Sequence, residues 1–155
     1  MKRLLILSAL SAAALAPFKP DASLEAAARS LTELIEALAR DAVLALPEPH
    51  RAAALQVALQ VADFAPDDML EAMGIDSPYD LTGLYEGIPL TEKSVSDQPQ
   101  QPDTVWLFRR AILEEWVERG DIGLADLVTH VVVHEFAHHF GWSDADIARI
   151  DPWWE

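Results

Sequence analysis

The stretch that most constrains this chain runs from His134 to Asp144 near the C-terminus and reads HEFAHHFGWSD. It follows an apolar run from Leu124 to Val133, so we expect it to lie on a largely buried helix. Positions four apart share one face of a helix that has about 3.6 residues per turn. His134 and His138 can therefore point at the same ion. Because buried histidine and glutamate are costly unless they are paired or bind a metal, the motif predicts a metal site.

The rest of the motif supplies the other parts of such a site. Glu135 lies about 100° further round the helix, where its carboxylate can reach a water on the metal without being a ligand. Gly141 is the residue type best suited to end a helix in a left-handed turn. Such a turn would return the chain so that Asp144 could supply a third ligand. The alternative role of Asp144 is to cap a following helix.

Two further histidines flank the pair. His130 is on the same helix face, but a rise of about 1.5 Å per residue separates it from His138 by about 12 Å, too far for both to bind one zinc ion. We therefore expect His130 to be exposed or hydrogen-bonded. His139 projects off this face, and we expect it in the core or supporting the site.

Composition excludes several classes of function. The 155 residues include no cysteine, which rules out disulfides, thiolate ligands and cysteine nucleophiles. The net charge of −15 argues against nucleic acid as a partner, because phosphate backbones are bound by basic surfaces. An acidic surface favours neutral or basic substrates, although the same charge can simply keep a protein soluble.

The pattern of helices and strands predicts an α+β fold. Helical spacing and capping residues favour helices, and alternating apolar residues with β-branched or aromatic side chains favour strands. The predicted helices cover residues 23–46, 67–73, 111–119, the metal motif and 144–150, and the predicted strands cover residues 55–62, 81–88 and 104–109. The glycines of the second strand suggest a bend or a close approach by another part of the chain. The loop Pro89 to Asp103 is expected to be a lid or a disordered connector.

The N-terminus has the parts of a secretory signal. Residues 1–16 contain two basic residues, an apolar stretch and small residues at the end. The apolar stretch is too short to span a membrane, so no stable membrane insertion is expected. We interpret residues 17–45 as a helical extension and residues 46–155 as the main domain. The signal-like segment favours export to the periplasm or the extracellular space, and the alternative is a helix that starts a cytoplasmic protein.

HEFAHHFGWSD, the upstream segment GLYEGIPLTEKS and the strand TVWLFRR resemble the small bacterial zincin-like metallopeptidases called minigluzincins. The resemblance spans about residues 46–150. It implies one zinc ion per chain, with His134, His138 and Asp144 as ligands and Glu135 as the catalytic general base. It also implies a compact core in which a small twisted β-sheet packs against the active-site helix, and a cytoplasmic location. Asp144 is preferred as third ligand to Glu155, which is the downstream candidate if the chain used a glutamate.

The function that follows is hydrolysis of peptide bonds in a peptide or protein substrate. We expect a strand at the edge of the sheet, Thr104 to Arg109, to hold an extended peptide by strand addition. Tyr85 is expected to pack in the core or to stabilise the oxyanion. One alternative is a metal-binding or regulatory protein without robust proteolysis. Another is a metal-dependent ribonuclease, although such enzymes usually have glycine at the position of Glu135. The sequence leaves the substrate and the oligomeric state open.

Overall fold

The structure is a computed structural model that describes residues 22–94, 96 and 102–149. The signal-like segment predicted for residues 1–16 lies outside the described residues, as do residues 95 and 97–101 of the long loop. The contacts divide the chain into two units, Met1–Ser30 and Leu31–Glu155. The domain boundary predicted at residue 46 stays a prediction. No helix among the described residues is long and apolar enough to cross a membrane.

The described residues form an α+β fold, as predicted. In chain order the elements are α1 (Ala22–Ala45), α2 (His50–Ala54), β1 (Ala58–Ala62), α3 (Asp67–Met73), a short 3-10 helix (Pro78–Asp80), β2 (Gly83–Glu86), β3 (Thr104–Phe108), α4 (Arg109–Arg119), α5 (Leu124–His139) and α6 (Asp144–Ala148). The first strand begins three residues later than predicted, because helix α2 and a turn occupy the alanine-rich segment before it.

The three strands form one mixed sheet with the order β1-β3-β2. Strand β3 pairs with β1 in parallel and with β2 in antiparallel orientation. The expectation that Thr104 to Arg109 forms an edge strand is therefore wrong. Thr104, Val105, Leu107 and Phe108 are all buried, and a strand that is buried on both faces suits the centre of a sheet. The edges are β1 and β2, and β2 packs against the helix that carries the metal motif.

Helix α5 packs its apolar side into the core. Val128, Val132 and Phe136 are at most 1% exposed, and they belong to the same buried cluster as Val105 and Leu107 of the central strand. Ile35 and Ala39 of α1 complete this cluster. Full burial of one such large apolar side chain stabilises a fold by about 1.5–3 kcal/mol, so the axis and rotation of α5 are fixed by packing. The histidines of α5 consequently lie at a set depth relative to the sheet.

Helix α4 is held at its first residue. Arg109 is buried, and its guanidinium Nη2 donates a hydrogen bond to Asp63 Oδ1 at 2.7 Å, just beyond the end of β1. The helix ends at Gly120, whose φ of +67° is a left-handed conformation that favours glycine. These two ends place the middle of α4 opposite the short 3-10 helix, with which it is in contact.

Candidate metal centre

Helix α5 positions three of the predicted site residues. His134, Glu135 and His138 lie on its last two turns, beyond the buried Val131 and Val132. Both histidines are partly exposed, with side-chain exposures of 23% and 27%. The helix thus holds its apolar side in the core while the imidazoles face an opening.

A tight turn brings the fourth residue to the same place. Gly141 has a φ of +92°, as predicted, and its N–H donates to the His138 carbonyl at 2.9 Å. A side chain at this glycine would collide with Thr91 as well as being strained. Helix α6 begins at Asp144 behind a capping box, in which Ser143 Oγ accepts from the Asp146 N–H and Asp146 accepts from the Ser143 N–H. Asp144 is therefore both the first residue of a capped helix and a neighbour of the two histidines.

Three ligand atoms converge at the end of α5. His134 Nε2 and His138 Nε2 are 3.2 Å apart, and Asp144 Oδ1 is 3.4 Å from the first and 3.2 Å from the second. Ligand atoms of a tetrahedral site are separated by about 1.6 bond lengths, so separations of 3.2–3.4 Å match bonds of about 2.0–2.1 Å, the length of zinc–nitrogen and zinc–oxygen bonds. Among the described residues this is the one group of three or more such side chains that could hold a metal ion. The donor set therefore fits zinc.

A main-chain carbonyl sets the tautomer of His138. Its Nδ1 lies 3.0 Å from the Trp142 carbonyl oxygen. A carbonyl only accepts hydrogen bonds, so Nδ1 must carry the proton and Nε2 of the neutral ring keeps its lone pair. That lone pair points toward His134 and Asp144. Orienting a histidine through its second nitrogen in this way is typical of metal ligands.

Glu135 lies beside this group but deeper. It is 8% exposed, and its Oε2 accepts a hydrogen bond of 2.9 Å from the Tyr85 N–H of strand β2. Burial raises the pKa of Glu135 to about 7, the Tyr85 hydrogen bond lowers it, and the nearby Asp144 carboxylate raises it further. A cation held by the three ligand atoms would lower this pKa again through its opposite charge.

Strand β2 approaches α5 so closely that only glycine fits at Gly83. A Cβ there would lie 2.8 Å from Val131 Cγ1 and 3.0 Å from Glu135 Cγ. The predicted close approach is thus found at this glycine. It lets the strand edge reach the Glu135 carboxylate.

His139 and Tyr85 belong to a buried polar cluster behind the centre. His139 is 2% exposed, and its Nδ1 lies 3.1 Å from the Tyr85 hydroxyl and 3.5 Å from Asp103 Oδ2. Tyr85 Oη donates to the Ile88 carbonyl at 2.9 Å, and Lys93 forms an ion pair with Asp103. Burial lowers the pKa of His139 and, together with Asp103, raises that of Tyr85. His139 is thus buried next to the site, and both roles considered for it, in the core or supporting the site, stay open. The packing of Tyr85 agrees with its interpretation as a packed aromatic.

The sequence did not single out Asp103 or Lys93 for this cluster. Both sit in or beside the irregular segment before β3, where charged residues normally face solvent. Their spacing along the chain shows no periodicity that would mark a buried pair. His130, as expected, does not join the metal-binding group and is partly buried in the cleft next to His134.

The sequence profile of the zincin-like metallopeptidases matches residues 54–154, about two thirds of the chain. The chain belongs to the zincin-like metallopeptidase family. A comparison with curated proteins finds no match. The family match covers β1 through α6, and hence the whole sheet and the candidate metal centre. Family membership implies zinc as the metal and a hydrolase as the class of enzyme, and it is consistent with the minigluzincin type.

Proposed function

We propose that this zincin-like protein is a zinc-dependent peptidase in which His134, His138 and Asp144 hold the metal and Glu135 is the general base. The observation that carries the proposal is the triangle of ligand atoms with 3.2–3.4 Å sides beside a buried, strand-anchored carboxylate. Catalytic zinc sites typically have such a ligand set, in which two imidazoles and a carboxylate bind the metal and a fourth position is left to solvent.

The role of each residue follows from its surroundings. Bound zinc supplies Lewis acidity, which lowers the pKa of water and polarises the scissile carbonyl. Glu135 accepts the proton of the attacking water and returns it to the leaving amine. The Tyr85 N–H fixes one carboxylate oxygen of Glu135 and leaves Oε1, which takes no hydrogen bond from a described residue, for this proton transfer.

Strand β2 is the element that suits an extended peptide. The Phe108 N–H donates to the Thr82 carbonyl at 2.8 Å, so Thr82 faces the central strand, whereas the Tyr85 N–H faces Glu135. Because main-chain groups alternate in direction along a strand, Gly83 presents its N–H and carbonyl on the same outer side as Tyr85. A peptide paired with Gly83 by strand addition would pass directly over Glu135 and His134.

The test is to measure zinc content and peptide cleavage on the same preparations of three variants. Glu135→Gln keeps the shape but cannot accept the proton, so it should retain zinc and lose on the order of 10²–10⁴ in rate. Asp144→Asn should lose zinc first and activity as a consequence. His130→Ala is the matched control on the same helix and should keep full zinc occupancy.

Two results would overturn the proposal. One is a Glu135→Gln variant that cleaves as fast as the parent. The other is a zinc-loaded parent that cleaves no member of a peptide library, which would leave a metal-binding protein without turnover. Full zinc occupancy in His138→Ala would refute the ligand assignment by itself.

A further inference from the structure

An opening lies beside Glu135 and is bordered by charged side chains. A cleft of about 270 Å³ is lined by His134 and Glu135 of α5, by Thr82 and Gly83 at the start of β2, and by Glu115 and Arg119 of α4. Asp80 also lines this cleft. The groups of the proposed reaction and the charged side chains of α4 therefore border the same space.

This cleft continues into a second hollow. A space of about 440 Å³ is lined by Tyr79, Asp80, Thr82, Glu114, Glu115 and Glu118. Asp80, Thr82 and Glu115 line both spaces, so the two adjoin. Together they reach the volume of typical ligand pockets, about 300–1,000 Å³.

The charges of the combined space do not cancel. The second hollow carries four carboxylates, from Asp80, Glu114, Glu115 and Glu118, whereas the guanidinium of Arg119 lines the first cleft. Arg119 is paired with Glu115, with Nε 2.8 Å from Oε1. Asp80, Glu114 and Glu118 form no ion pair with any residue in the described part of the chain. Helix α4 places Glu114 and Glu118 four residues apart on one face, where they repel each other until a cation lies between them.

A second observation marks the same space as a ligand site. Glu135 is 92% buried and lines the cleft, and its Oε1 accepts no hydrogen bond from any described residue. A buried carboxylate oxygen without a hydrogen-bond partner is energetically costly, so we expect the cleft to bind a molecule that supplies a hydrogen-bond donor. What enters the cleft to meet Glu135 also passes Glu115 and Asp80.

We infer that this cleft selects peptides with a lysine or arginine side chain next to the scissile bond, on the side that faces Asp80. The inference rests on the proposed peptidase function and adds its substrate class. A peptide paired with Gly83 extends past Thr82 toward Asp80, and a long cationic side chain leaving it there enters the hollow between Asp80, Glu115 and Glu118. Asp80, Glu114 and Glu118 are exposed and Glu115 is half-buried. Such carboxylates act together on one cation, and added salt screens them.

The experiment separates charge selection from turnover. Peptides that contain lysine next to the scissile bond are compared with the same peptides containing acetyl-lysine, which keeps the aliphatic stem, adds an acetyl group and removes the charge. Binding to zinc-loaded Glu135→Gln is measured by fluorescence anisotropy, and cleavage by the zinc-loaded parent is measured as kcat/KM. We expect the lysine peptide to bind about tenfold more tightly at low salt, and this ratio to fall at 0.5 M salt, where the screening length is only about 4 Å.

Two carboxylate variants, made in the Glu135→Gln background for binding and in the parent for kcat/KM, supply the specificity test. Asp80→Asn combined with Glu118→Gln should bring the lysine to acetyl-lysine ratio close to one while leaving the acetyl-lysine peptide unaffected. Glu71→Gln, on the exposed face of α3 away from the cleft, is the matched control and should leave the ratio unchanged.

The outcomes distinguish the two claims. Equal binding of the two peptides, or a ratio that survives the double variant, overturns the inference even if the parent is an active peptidase. Selective binding without any cleavage by the parent supports the inference and refutes the proposed turnover.

Discussion

Removing the capping hydroxyl of Ser143 should weaken zinc binding although Ser143 is no ligand. Asp144 has a side chain that is 85% exposed, so packing does little to hold it in place. Its position depends on the capping box, in which Ser143 Oγ lies 3.3 Å from the Asp146 N–H and 2.6 Å from Asp146 Oδ2. Ser143→Ala deletes both of these contacts and leaves the three proposed ligands intact.

The loss of zinc affinity in Ser143→Ala cannot exceed the stability that the capping interaction provides. Replacing an N-cap serine with alanine costs about 1 kcal/mol of helix stability. If that entire loss falls on the arrangement that places Asp144 beside the histidines, zinc binding must restore it, and the dissociation constant rises about fivefold. Asp144→Ala removes a ligand and should cost more than the ~10–100-fold typical of losing an outer partner.

Competition with a chromophoric zinc chelator at fixed pH measures these differences. Ser30→Ala, a change of an exposed serine within α1, is the matched control and should bind zinc like the parent. The reasoning fails if Ser143→Ala also binds like the parent. It fails equally if Ser143→Ala loses as much affinity as Asp144→Ala, because a cap worth about 1 kcal/mol cannot do that.

Three further results are expected. Gly83→Ala should lower the free energy of unfolding by about 1–3 kcal/mol, because its Cβ overlaps Val131 and Glu135, and should lower peptide cleavage as β2 shifts; parent-like urea unfolding would contradict this. Tyr85→Phe should cost about 1–3 kcal/mol by leaving the Ile88 carbonyl and His139 with fewer partners, whereas Tyr79→Phe, at an exposed tyrosine, should cost little in the same assay. In chelator-treated protein the pKa of Glu135 is raised to about 7, so this carboxyl stabilises the fold fully below about pH 4.5 and loses that contribution as the pH rises through 7. The free energy of unfolding of Glu135→Gln should therefore exceed that of the parent by up to roughly 3 kcal/mol at pH 8 and by nothing near pH 4.5. A pH-independent difference would refute the raised pKa.

Local sequence signals predicted much of the fold. Helix α3 was predicted with its observed ends because Pro66 and Asp67 open it and Gly74 closes it in a left-handed turn. Ser143 and Asp146 marked the start of α6 in the same way. These signals act within one turn of the chain, so no tertiary information is needed to read them.

The order of strands needed information that the sequence does not carry locally. Thr104 to Phe108 is apolar on both faces, a pattern typical of a central strand, but its position depends on where Ala58–Ala62 and Gly83–Glu86 pair with it. Those pairings join residues that are 18 to 46 positions apart along the chain. Without knowledge of these pairings, Thr104 to Arg109 was wrongly predicted to be an edge strand. The strand proposed to hold the substrate is therefore β2 rather than β3.

The candidate site, like the fold, was predictable only in part from the sequence. The spacing of His134, His138 and Asp144 predicted a group that the structure brings together within hydrogen-bonding distances. Nothing in the sequence predicted that the Tyr85 N–H would anchor Glu135 or that the Trp142 carbonyl would orient His138. Both contacts come from main-chain atoms, which every residue possesses, and so leave no mark on residue type.

The ion pair between Lys93 and Asp103 joins two residues on either side of segment 94–102. Lys93 follows the turn in which the Leu90 N–H donates to the His139 carbonyl at the end of α5, and Asp103 lies one residue before β3, so the fold holds both ends of this segment. Lengthening a loop with fixed ends costs only about 0.6 kcal/mol for each doubling of its length. Segment 94–102 is therefore a natural insertion point for a reporter tag or an affinity handle, one that would leave both the sheet register and the histidine helix undisturbed.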